Sequence, residues 1–162
     1  MNLPQETVIL LAEDLPNDVL LIRRALHNAN VSNPFFVVSN GQECLDYLNG
    51  VAKYSNRDEF PFPDILLLDL KMPKTDGFEV IIEIRKNKTF SALRIIVLTS
   101  SENIKDVNKA YQLGANSFLV KPLEFENFKA MMQTLSSFWL YTSALPAPGM
   151  GVTHPSSDIA GN

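Results

Sequence analysis

Cysteine is nearly absent. Cys44 is the one thiol in 162 residues, so no internal disulfide can form, and the composition suits a reducing, cytoplasmic setting. Long apolar runs are missing too. None approaches the roughly 18 residues of a membrane-spanning helix, so no direct membrane contact is expected. Positive charge is outnumbered, with 14 Lys and Arg against 18 Asp and Glu. A net charge of −4 excludes the basic footprint of a nucleic-acid binder. The opening residues, MNLPQETVILLAED, lack the basic start and the small-residue cleavage site of a secretory leader. Apolar material is ample: 46% of the chain, sufficient for the core of one globular domain.

Short apolar runs alternate with stretches of helical periodicity. Residues 7–12 (TVILLA), 34–39 (PFFVVS), 65–69 (ILLLD), 94–98 (RIIVL) and 116–120 (NSFLV) read as strands. Helices are expected over 17–29, 42–48, 78–86, 103–113 and 124–141. The first carries Val19, Ile22, Leu26 and Ala29 on one face, and the fourth ends at Gly114, a normal helix stop. Residues 49–63 are polar, with Pro61 and Pro63 near the end, and read as a long loop. Continuously apolar strands joined by helices imply a parallel sheet covered on both faces. The expected fold is α/β: a doubly wound, five-stranded parallel sheet in the order 2-1-3-4-5. Residues 1–142 form this domain. Residues 143–162, rich in Pro, Gly, Ala and Ser, read as a C-terminal tail too short for an output domain.

Ligands of such sheets bind beyond the carboxyl ends of the strands. The chemistry found there is concentrated. The first strand runs into Glu13 and Asp14, the third ends at Asp69, the fourth at Thr99 and Ser100, and the fifth at Lys121. In "DILLLDLKMPKTDGF" the placement of Asp69 at the end of an oily run puts a carboxylate at the lip between core and pocket. Three clustered carboxylates repel one another unless a cation joins them. Oxygen ligands favour Mg²⁺ or a similar hard ion such as Mn²⁺, and no histidine or second cysteine lies in these loops to favour zinc. A carboxylate can attack phosphorus and become an aspartyl phosphate. Lys121 and the Thr99 hydroxyl are then available to the phosphoryl oxygens.

The segments "LLAED", "LLLDLKMPKTDG", "VLTSS" and "VKP", in that order, resemble response-regulator receiver domains across residues 7–139. The resemblance implies the flavodoxin-like receiver fold and phosphotransfer from a sensor histidine kinase. It implies Asp69 as phosphoacceptor and Glu13 and Asp14 as the acidic metal pair, with Asp14 the more direct ligand. The main-chain carbonyl of Lys71 matches a further metal ligand. Thr99 and Lys121 match the switch hydroxyl and the phosphate-binding lysine, and Phe118 the aromatic switch position. Ser100 is small enough to let Thr99 move. Lys121-Pro122 matches a lysine–proline pair whose peptide bond is typically cis. "PNDVLLIRRAL", "NGQECLDYLNG" and the long loop before the third strand resemble stand-alone receivers that serve phytochrome-type kinases.

The last helix carries Phe125, Phe128, Met132, Leu135 and Trp139 on one stripe, with Met131, Phe138, Leu140 and Tyr141 off it. That surplus points to a homodimer built on the fourth helix, the fifth strand and the fifth helix. Its candidate residues are Ile104, Val107, Tyr111, Phe138, Trp139 and Tyr141. The bland alternative is that the surplus packs under the tail. Other functions fit less well. A haloacid-dehalogenase-type hydrolase needs a second acid after Asp69, where Lys71 stands. An FMN binder needs a phosphate cradle where Glu13 and Asp14 repel phosphate. A phosphorelay intermediate and a scaffold receiver remain as alternatives. Each residue taken singly has a duller reading, a cap for Asp14 or Thr99 and a solvated amine for Lys121.

Overall fold

The computed structural model describes residues 7–138. Five strands alternate with five helices: β1 (Ile9–Ala12), α1 (Pro16–Asn28), β2 (Phe35–Val38), α2 (Gly41–Asn49), β3 (Ile65–Leu68), α3 (Gly77–Lys86), β4 (Arg94–Thr99), α4 (Ile104–Leu113), β5 (Ser117–Val120) and α5 (Phe125–Ser136). Two 3-10 turns, Ala52–Tyr54 and Lys88–Phe90, punctuate the connections. The sheet order is β2-β1-β3-β4-β5, all parallel, as the pattern predicts.

Strand alternation explains why the strands read as unbroken apolar runs. Leu10, Ala12, Leu66, Leu68, Ile95 and Val97 face the helices α2, α3 and α4, packing with Cys44, Leu48, Ile81, Ile84 and Ala110. Their neighbours Ile9, Leu11, Ile65, Leu67, Ile96 and Leu98 face the other way, against Ile22, Ala25 and Leu26 of α1 and Phe128, Met132 and Leu135 of α5. Both faces are covered, so every residue of β1 and β3 is buried. Each fully buried leucine or isoleucine contributes about 1.5–3 kcal/mol of transfer free energy. The β1, β3 and β4 ends are therefore rigid platforms for whatever follows them.

The helix starts are written locally. Pro16 opens α1, where its missing N–H has no partner to lose. Asn40, Asp76 and Asn103 cap α2, α3 and α4, each accepting an N–H from the first turn. At the other end, α2 and α4 stop at Gly50 (φ 64°) and Gly114 (φ 115°), left-handed positions that favour glycine.

Residues 49–63 are more structured than their polar composition suggests. Arg57 donates to the carbonyls of Tyr47 and Leu48, both at 2.7 Å, and so caps the end of α2. Tyr54 and Phe60 close over Tyr47 at ring-centroid distances of 4.9 and 6.1 Å. A few aromatics and one arginine organise the segment, which a count of polar residues hides.

Two expectations need correcting. The Lys121–Pro122 bond is trans, as are all peptide bonds among the described residues. Trans is the lower-energy form of an X–Pro bond by about 0.5–1 kcal/mol, and the lysine reaches its partners in that form. Second, Met131 packs against the α1–α5 core, so it is not surplus on α5. Tyr111, a candidate for the dimer face, also has an internal role. Its hydroxyl accepts the Phe118 N–H at 3.1 Å, satisfying a donor on the edge strand β5. Trp139, Leu140, Tyr141 and the tail lie outside the described residues.

Candidate functional site

The carboxyl ends of the strands bring the acids together. Glu13 follows β1 and is 1% exposed, and its main-chain N–H donates to the Val38 carbonyl at 3.0 Å. Asp69 follows β3 and is 5% exposed, with its N–H held by the Ala12 carbonyl at 3.1 Å. Main-chain pairing between neighbouring strands thus sets the positions of both. Oxygens of Glu13, Asp14 and Asp69 lie within 4.8 Å of one another.

Lys121, just beyond β5, reaches into this cluster. Its main-chain N–H donates to the Thr99 carbonyl at 2.8 Å, tying it to the end of β4. Its Nζ lies 2.5 Å from Glu13 Oε2, 2.9 Å from Asp18 Oδ2 and 3.3 Å from Asp69 Oδ2. Burial works against the ammonium, but the bonds to Glu13 and Asp18 and the charges of Asp69 and Glu13 outweigh it and raise the Lys121 pKa. Burial also lifts Glu13 above the ordinary carboxylate range. The Lys121 hydrogen bond opposes that rise, and the Asp69 charge adds to it.

Glu13, Asp14, Asp18 and Asp69 outnumber the one ammonium and leave an excess of acidic groups in the pocket. Asp14 Oδ1 is buried and has no hydrogen-bond partner among the described residues. A buried carboxylate oxygen without a donor is costly. A hard divalent cation is the partner that suits it, so the residues present fit Mg²⁺ or Mn²⁺.

Of the remaining predicted residues, Thr99, Ser100 and Lys71 lie at the strand ends or in the loops that follow them. Thr99 ends β4 fully buried, and its hydroxyl accepts the Ser101 N–H at a long 3.5 Å. Ser100 is exposed. Lys71 is exposed too, and its N–H donates to Asp69 Oδ1 at 3.2 Å. Phe118 is half-buried on β5 against the α2–α4 side of the core. Ile104 and Phe138 are 66% and 55% exposed, Tyr111 is 49% exposed, and Val107 is half-buried.

One participant escapes the sequence. Asp18 sits in the first turn of α1, where an acid is expected merely to complement the helix dipole. Its position four residues after Asp14, in the turn that follows the acidic loop, was the available signal. Its approach to Lys121, 103 residues away, is set by the fold.

The sequence model described as the response regulator receiver domain matches residues 9–133. Response regulator Rcp1 of Synechocystis sp. is 36% identical over 140 residues, covering 86% of this chain and 93% of Rcp1. Among solved structures, response regulator RPA3017 in red light signaling of R. palustris superimposes with a TM-score of 0.82 at 36% identity, covering 86% of this chain and 98% of that one. The phosphorylated cyanobacterial phytochrome response regulator RcpA superimposes at 0.81 and 34% identity, covering 88% and 99%.

Proposed function

The chain belongs to the response regulator receiver family, and from that premise we propose that it accepts a phosphoryl group on Asp69 and signals through the resulting change of shape. The donor is a phosphohistidine of a sensor histidine kinase. One observation carries this reading: the nearly buried Asp69 carboxylate shares a pocket with Glu13, Asp14 and Lys121 at the carboxyl end of the sheet.

In the transfer, an Asp69 oxygen forms a bond to phosphorus while the phosphorus–nitrogen bond to the donor imidazole breaks, its electron pair leaving on that nitrogen. Lys121 stands ready to donate to a phosphoryl oxygen. Asp14, Asp69 and Glu13 would hold Mg²⁺ or Mn²⁺, with the Lys71 carbonyl a further ligand. When bound, the ion supplies positive charge against the phosphoryl oxygens. The buried Thr99 hydroxyl, which accepts the Ser101 N–H at a long 3.5 Å, can turn toward the phosphoryl group. Phe118, half-buried on the neighbouring strand, is placed to follow it inward.

The names of the relatives support a phytochrome-type kinase as partner. The reading is of a phosphoacceptor that turns over only its own phosphoryl group. The exposed Ile104, Tyr111 and Phe138 support a homodimer through α4, β5 and α5, to which Val107, Trp139 and Tyr141 are assigned as well.

Incubation with acetyl phosphate and Mg²⁺ tests the reading. The intact mass should rise by one phosphoryl group in the wild type and stay constant in Asp69→Asn. Equal labelling of both proteins would refute Asp69 as acceptor. Sedimentation with and without the phosphodonor tests the dimer, and a monomer in both conditions removes it.

A further inference from the structure

We propose that Asp18 is a positioning residue for Lys121. It holds one of the three ammonium hydrogens on α1, so that the lysine keeps its place when the hydrogen facing Asp69 passes to a phosphoryl oxygen. The inference deepens the phosphoacceptor reading and rests on it.

A lysine ammonium has three N–H donors and no acceptor. All three directions of Lys121 Nζ are taken by carboxylates: Glu13 at 2.5 Å, Asp18 at 2.9 Å and Asp69 at 3.3 Å. The contact with Asp69 is the longest. Glu13 and Asp18, on the loop after β1 and on α1, hold the ammonium away from the nucleophile. A lysine closed tightly on Asp69 would compete with a metal ion for the same carboxylate and would hinder its attack on phosphorus. A lysine tethered at two points leaves both Asp69 oxygens loosely held.

Asp18 suits the tether. Pro16 starts α1 with its φ fixed, and Asp18 lies in the same first turn, where the helix dipole favours a negative charge. α1 itself is clamped to the core by Ile22, Ala25 and Leu26, none more than 4% exposed. The carboxylate therefore hangs from a rigid element. Charge-assisted bonds of this kind are roughly twice as strong as neutral ones. With Asp18 removed, two anchors remain, and one of them is the residue about to react.

The test compares wild type, Asp18→Asn and Asp18→Glu with acetyl phosphate and Mg²⁺. It adds ¹H–¹⁵N spectra of the lysine ammonium groups before and after beryllofluoride is bound at Asp69. Asp18→Asn should phosphorylate about tenfold more slowly, since a displacement of about 1 Å in a positioned group costs up to about a hundredfold. Its Lys121 ammonium signal should broaden, whereas in the wild type it stays sharp in both states. Asp18→Glu should restore rate and signal. An Asp18→Asn protein that phosphorylates within about twofold of wild type overturns the assignment, and so does one whose Lys121 signal is unchanged. Labelled wild type beside equally fast Asp18→Asn refutes this inference alone. A wild type that takes no phosphoryl group refutes the underlying reading and this inference with it.

Discussion

Arg85 Nη2 donates to Asn116 Oδ1 at 3.0 Å, and the same oxygen accepts the Ile95 N–H at 2.9 Å. The arginine thus joins α3 to the starts of β4 and β5. It also donates to the carbonyls of Gly114 at 3.0 Å, Leu93 at 2.9 Å and Phe90 at 3.3 Å. Arg85→Ala orphans several part-buried acceptors at once, each costing about 1–3 kcal/mol. Urea unfolding should register a loss of about 3 kcal/mol or more. Arg85→Lys should recover little of it, because one ammonium cannot reproduce the planar fork.

Glu43 gives the fold an acid-sensitive anchor. Burial tends to raise its pKa, but the Tyr54 hydroxyl, the Ser39 N–H, Lys53 and the Ser39 hydroxyl together hold the carboxyl down at about 2. The unfolded chain therefore takes up the proton more readily than the folded one. The stabilisation is complete above the ordinary value of 4.5 and fades as pH falls toward about 2. Unfolding midpoints measured from pH 5 to pH 2.5 should fall more steeply in wild type than in Glu43→Gln.

Divalent metal should stabilise the wild type. A ligand that binds the folded state alone adds about 2.7 kcal/mol at a hundredfold excess over its Kd. Thermal unfolding with and without Mg²⁺ should show a rise of Tm that Asp14→Asn largely abolishes. An equal rise in Asp14→Asn would move the metal elsewhere.

Gly41 marks a close approach. A Cβ at this position would stand 1.9 Å from the Thr75 carbonyl oxygen, so the loop after Asp69 and the start of α2 could not keep their contact. Gly41→Ala should cost about 1–3 kcal/mol in stability. It should also slow phosphorylation, because residues 71–76 must shift to make room. A variant with unchanged stability and rate would show that the loop yields freely.

Much of this was legible in advance because it is written in short-range patterns. The run Ile65–Leu68 followed by Asp69 reads as a buried strand with an acid at its lip, and burial on two faces is the reason for both. Gly114 announces the end of α4 through its own backbone freedom. The cis expectation at Lys121-Pro122 failed because proline permits that isomer without requiring it. Tyr54 and Arg57, lost in a polar segment, gained their roles from partners in α2.

The sequence by itself determined the strand and helix order, the sheet that follows from two-sided burial, and the set of strand-end residues bearing charge and hydroxyl. Periodicity and capping act within a few residues, so they survive in the linear order. Tertiary structure decided which donor meets which acceptor: that Lys121 divides itself among Glu13, Asp18 and Asp69, and that Asp14 keeps a buried oxygen without a donor among the described residues. Those relations depend on the packing of elements far apart in the chain, where ångström differences choose the partner and no local pattern records the choice.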